Sequence, residues 1–66
     1  MQVLINGAAH SVHDACTVRD LVTLLALPEK GIAIAVADAV VPRGRWSERT
    51  LLPDERIEIL TAVQGG

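Results

Sequence analysis

The chain has 66 residues and a mass of 7.0 kDa, room for one small domain and no second. Half of it is hydrophobic and 21% charged, which excludes a disordered polymer and supplies enough apolar surface for a core. Six basic and eight acidic side chains, interspersed to a net charge of -2, exclude the basic stripe a nucleic-acid binder needs, and one aromatic residue, Trp46, excludes a base-stacking platform.

Residues 2–6 alternate so that Val3 and Ile5 share one face, the pattern of a half-buried strand. Asn6-Gly7 follows, a strong hairpin signal because both residues tolerate the positive φ of a type I′ turn. The return strand is expected over 8–12, although Ala8-Ala9 has low strand propensity. His10 and His13 are too few for a metal site and are expected to face solvent. Cys16, the one cysteine, excludes an internal disulfide and a structural zinc cluster. Beside a helix start it is a candidate sulfur relay, with a small packing role as the commoner alternative.

Thr17 opens a helix: its hydroxyl can accept from the N–H of Asp20, and the Asp20 carboxylate suits the positive helix end. Val18, Leu21, Val22 and Leu25 then recur at i, i+3, i+4 and i+7, one apolar stripe, and Pro28 is expected to end the helix. Residues 32–36 place branched side chains on one face and alanines on the other, a third strand. A turn at Asp38-Ala39 leads to a short strand, Val40-Val41, cut by Pro42 as suits a sheet edge. Residues 43–52 read as irregular, with Trp46 as their anchor onto the core and a secondary candidate for partner contact. Arg43 and Arg45 are candidates to steer an acidic partner surface.

Residues 56–61 alternate again, with Ile57 and Ile59 toward the core and Glu58 and Leu60 away from it. As the most regularly patterned strand, this last one is expected in the centre of the sheet beside the first. Leu4 is outward by the same count, so Leu4, Leu60 and an alanine of the third strand are expected to form one apolar patch on the uncovered sheet face, a grip for a partner. One helix covers one sheet face, giving an α+β two-layer fold. No apolar run approaches the ~20 residues that span a bilayer, the N-terminus does not read as a signal peptide, and a chain this short can hardly enclose a catalytic pocket. A cytoplasmic protein that is not itself an enzyme is expected.

The chain ends Ala62-Val63-Gln64-Gly65-Gly66. At average glycine usage a terminal Gly-Gly arises about once in 200 chains. The bland reading is a frayed terminus. The chemical reading is a flexible tail over 62–66, bare enough to lie in a narrow channel and to deliver the Gly66 α-carboxylate. That carboxylate is anionic at neutral pH, a poor acyl acceptor until activated, for example as an acyl adenylate.

Taken together, the opening strand with Asn6-Gly7, the helix start Thr17-Val18-Arg19-Asp20-Leu21 and the strand over 32–36 form a recognisable set. With Val41-Pro42-Arg43 before Trp46, and the finish Ile57-Glu58-Ile59 into Gly65-Gly66, the chain resembles the ubiquitin-like β-grasp sulfur carriers, most closely the ThiS family of thiamine biosynthesis. The resemblance implies a mixed sheet of four to five strands with one main helix on one face. It also implies a carrier whose Gly66 is adenylated by a ubiquitin-activating-like adenylyltransferase of ThiF type, with ATP consumed by that partner and no cofactor bound by the carrier. Sulfur from a donor such as a cysteine desulfurase would then give a thiocarboxylate for a ThiG-type thiazole synthase, with Gly65 and Gln64 as the support of Gly66. Two positions depart from the family: Asp38 where Asn is usual, and Asp54-Glu55-Arg56 where Asp-Gly-Asp is common. Without that glycine the second turn is expected to avoid positive φ. A molybdopterin-synthase-type carrier, a ubiquitin-like protein modifier and a binding module with an inert tail remain open alternatives.

Overall fold

Asn6 and Gly7 reverse the chain with φ of 49° and 84°, so that β1 (Gln2–Ile5) and β2 (Ala8–Ser11) form an antiparallel hairpin with Ile5 opposite Ala8. The computed structural model describes residues 1–61. Helix α1 (Val18–Leu24) carries the chain across, followed by β3 (Ile32–Val36), β4 (Ala39–Val40), a 3₁₀ turn over Arg43–Arg45 and β5 (Arg56–Thr61). The sheet order is β2-β1-β5-β3-β4, with β1 parallel to β5 and the other pairs antiparallel. The last strand is therefore central beside the first, as its patterning indicates, and the architecture is a five-stranded mixed sheet carrying one helix, the ubiquitin-like β-grasp.

The core follows from the alternation. Val3, Ile5, Ile34, Val36 and Ile57 point from the sheet onto Val18, Leu21 and Val22 of α1, with Leu25 and Ile59 partly buried around them.

Several local expectations need correction. Pro28 does not end α1. The helix stops at Leu25, where Ala26 adopts φ 53° and the N–H groups of Ala26 and Leu27 donate to the carbonyls of Thr23 and Val22, a Schellman cap. The turn between β3 and β4 is at Ala37-Asp38, both at positive φ, so β4 begins one residue early and Val41 is buried rather than in the strand. Asp54 has φ 63°, so the turn before β5 keeps a left-handed residue without glycine, which aspartate tolerates through local hydrogen bonding.

Candidate functional site

The end of β5 is where the domain leads toward its C-terminus. Thr61 lies opposite Ile32 at the far end of the β3 ladder from the Val36–Ile57 pair, so β5 ends beside the start of β3. Gln64, Gly65 and Gly66 lie outside the described residues.

Leu60 is 64% exposed on the sheet face opposite α1, level with Ala33. Leu4 is half-buried on that face, but the parallel register sets it beside Arg56. Four residues of an extended strand span about 13 Å. Leu4 and Leu60 therefore do not merge into the single patch expected from alternation, because Glu58 stands on the same face of β5 between Leu60 and the level of Arg56, where Leu4 sits. What forms instead is a Leu60–Ala33 spot near the exit and a separate shallow depression beside Leu4, Gly7 and Glu58. Alternation fixes which face a residue occupies; the register that decides its neighbours is set by the pairing of strands distant in sequence.

Trp46 anchors its segment onto the core as expected, and its secondary candidacy for partner contact is the part corrected. It is 2% exposed, its Nε1–H donates to the carbonyl of Val41 at 3.0 Å, and it belongs to the core, which withdraws its ring from any partner surface. Arg19 lies 5.2 Å above its ring centroid and pairs with Glu29 at 3.0 Å. The segment around Trp46 is bound to the helix: the N–H groups of Val18 and Arg19 donate to the carbonyls of Arg49 and Trp46, each at 3.0 Å. Thr17 Oγ1 takes the Asp20 N–H and Asp20 returns the bond to the Thr17 N–H, a complete capping box. The four orphan donors of the helix start are thus satisfied, two by the capping box and two by a loop with no periodicity to announce it. Arg43 is exposed beside this loop, its Nη1 donating to the carbonyl of Glu29. A concavity of about 470 Å³, bounded in part by Val36, Val40, Pro42 and Arg45, is at the opposite end of β5 from Thr61.

His13 does have a cysteine near it: ligand atoms of His13, Cys16 and Asp20 lie within 4.8 Å of one another. Each already has a structural task. Asp20 Oδ2 accepts from the Thr17 N–H and pairs with His13 Nε2 at 3.4 Å, and Cys16 Sγ faces the Thr17 carbonyl at 3.5 Å. Cys16 is fully buried, and burial together with the neighbouring Asp20 carboxylate pushes its thiol pKa up, the reverse of what a sulfur relay needs. Cys16 is a packing residue. The Thr17 backbone N–H above all, opposed by partial desolvation and helped by the Thr17 hydroxyl and His13, holds the Asp20 carboxyl below its ordinary range. No helix among the described residues is long and apolar enough to cross a membrane.

Comparison with known proteins agrees with this geometry. The ThiS family matches residues 3–66. The sulfur carrier protein ThiS of Escherichia coli (strain K12) is 29% identical over 66 residues, covering all of both chains. The crystal structure of the thiamine biosynthesis protein ThiS from Geobacter metallireducens superposes with a TM-score of 0.82 over the full length of both chains at 22% identity. The solution structure of a thiamine biosynthesis protein from the same organism gives 0.79, covering all of this chain and 88% of that one, also at 22% identity. The fold and the length of the family match, from the first strand through Gly65-Gly66, lead to one conclusion: this chain belongs to the ThiS family.

Proposed function

We propose that the chain is a sulfur carrier of thiamine biosynthesis whose Gly66 carboxylate is activated and thiolated by partner enzymes. The observation that carries this reading is that the family match runs through Gly65 and Gly66, so the two residues that would do the chemistry fall inside the matched region. The Gly66 carboxylate oxygen attacks the α-phosphorus of ATP on a ThiF-type adenylyltransferase, pyrophosphate leaves, and an acyl adenylate forms. A sulfur nucleophile then attacks the acyl carbon; a C–S bond forms and the C–O bond to AMP breaks. With a persulfide donor, such as one charged by a cysteine desulfurase, the product is an acyl disulfide; a second thiol attacks its donor-side sulfur, the S–S bond breaks, a disulfide forms between that thiol and the donor cysteine, and the thiocarboxylate leaves. A ThiG-type thiazole synthase consumes that sulfur.

The carrier binds no cofactor and contributes no catalytic group in this scheme. Gln64 and Gly65 support Gly66, and the absence of Cβ at the two glycines lets backbone approach backbone in a narrow site. Buried Cys16 is unsuited to be the second thiol. Because both ATP and the reduced sulfur donors are cytoplasmic, we place the protein there.

Intact mass of the protein purified from its own cells tests the reading. A gain matching exchange of one oxygen for sulfur, confined to the C-terminal peptide and abolished by deletion of Gly66, supports it. Adducts to lysines of other proteins point to a modifier. An unmodified terminus after incubation with ATP and the activating enzyme leaves an inert tail. A Gly66 deletion strain that requires thiamine and is relieved by the thiazole moiety separates this pathway from a molybdopterin carrier.

A further inference from the structure

The ladder between β1 and β5 stops short of the end of β5. Its backbone bonds run from the Leu4 N–H to the Glu55 carbonyl at 3.0 Å and from the Asn6 N–H to the Ile57 carbonyl at 2.9 Å. In a parallel pair the next rung would take the Ile59 N–H and give an N–H to the Ile59 carbonyl. At that level β1 has already turned away through Asn6-Gly7, so no backbone is there. The Asn6 side chain is. Its Oδ1 accepts from the Ile59 N–H at 2.8 Å and its Nδ2 donates to the Ile59 carbonyl at 3.2 Å. A carboxamide has the donor and acceptor of a peptide group, and here it supplies the missing rung.

We infer that Asn6 is a positioning residue for the C-terminal chemistry: its carboxamide fixes the direction in which the chain leaves β5. The inference rests on the carrier function proposed above. Ile59 is two residues before Thr61, where the described structure ends. On the other side β3 holds the same stretch through the Ala33–Leu60 and Ile32–Thr61 pairs. Held from β3 alone, β5 would be an edge free to splay from Ile59 onward; clamped at Ile59 from the β1 side as well, it gives the segment bearing Gly66 an origin fixed two residues before Thr61. A reacting group misplaced by about 1 Å can lose a hundredfold in rate, so a carrier that presents its own terminus gains from a rigid origin close to it.

Asn6 does two separable things. Its backbone occupies the left-handed region at φ 49°, which the turn demands, and its side chain clamps β5. Asn6→Gly keeps the first and removes the second. The full chain and this variant are compared in ATP–pyrophosphate exchange with a ThiF-type adenylyltransferase, alongside Thr17→Ala, which weakens the helix cap, where the Thr17 hydroxyl bonds the Asp20 N–H and not β5. Amide hydrogen exchange at Ile59 is followed in each. The expected result is faster Ile59 exchange in Asn6→Gly with the remaining strand amides protected. The same variant should lose on the order of tenfold in kcat at nearly unchanged KM, while Thr17→Ala keeps the parental kcat. Parental kcat in Asn6→Gly, a loss confined to KM, an equal kcat loss in Thr17→Ala, or unaltered Ile59 exchange each overturns the inference. A parent chain that is not adenylated at all overturns the carrier function first, and this role of Asn6 with it.

Discussion

Three alanines, Ala15, Ala26 and Ala37, hold positive φ, where an L side chain crowds the following carbonyl. That conformation costs roughly 1–2 kcal/mol per residue relative to glycine. Replacing alanine by glycine also costs about 0.4–1 kcal/mol, because the unfolded chain gains freedom. The first term is larger, so Ala26→Gly, which keeps both hydrogen bonds of the helix cap, is expected to stabilise the domain by about 0.5–1 kcal/mol. Guanidinium unfolding followed by the fluorescence of Trp46 measures this; a lowered midpoint would show that the αL cost here is smaller than the entropy term. A second residue-scale effect concerns Glu55. Burial raises its pKa, but the Arg49 guanidinium at 2.7 Å and the Leu52 N–H outweigh burial and hold the carboxyl below its ordinary value. The Asp20 carboxyl is lowered as well. For both, the unfolded chain binds protons more readily than the folded one. Their stabilisation is therefore complete above the unfolded carboxyl pKa of about 4 and is lost as pH falls through the lower folded values. Glu55→Gln should cost about 1–2 kcal/mol at pH 7 and reduce the slope of stability against pH below 4; a parallel profile would assign the acid lability elsewhere.

The elements divide by how locally they are encoded. Strands β1, β3 and β5 and the start of α1 are legible in the sequence, because the period-2 runs and the Thr17–Asp20 capping pair act within a few residues. The end of α1 and the two tight turns misled for the opposite reason: Ala26, Ala37 and Asp54 adopt left-handed conformations that propensity does not assign to alanine and assigns only weakly to aspartate. Least legible is the segment over residues 43–51. It has no periodicity, yet it carries Trp46 into the core and satisfies two N–H groups of α1 from the outside. Its order is conferred by tertiary contact. Trp46 is accordingly expected to be the most sensitive position of this segment. Trp46→Ala should cost about 3–5 kcal/mol, against a total of roughly 3–10 kcal/mol for a chain of this length. Trp46→Phe keeps most of the apolar volume but leaves the Val41 carbonyl without its donor, at about 1–2 kcal/mol. Thermal unfolding by circular dichroism separates the two, since Ala leaves little folded protein at 37 °C and Phe leaves most of it; equal losses would mean that the hydrogen bond, not the packing, dominates.

At the scale of the whole molecule, the sheet has two unlike faces. One is spent on α1 and the core. The other bears Arg56, Glu58 and Leu60 along β5, with Leu60 the large apolar side chain nearest the exit toward Gly66. The concavity by β4 lies about 13 Å of strand from Thr61, at the level of Ile57, so a partner working on the terminus has no need to occupy it. Leu60 was identifiable as outward-facing from alternation, whereas its separation from Leu4 came from the parallel register of β1 with β5, which no local pattern carries. A residue 64% exposed contributes little to folding, so its substitution isolates surface from core. Leu60→Arg is expected to leave the unfolding midpoint within about 0.5 kcal/mol of the parent. If the adenylyltransferase grips this face, the same variant should raise KM for the carrier on the order of tenfold with kcat retained, as loss of an apolar anchor does at an interface. The split runs opposite to that expected of Asn6→Gly, which makes the pair informative on one assay: contact loss appears in KM, misplacement of the terminus in kcat. A Leu60→Arg chain with the parental KM would move the docking surface off this face of the sheet, while a chain that unfolds would place Leu60 in the core after all.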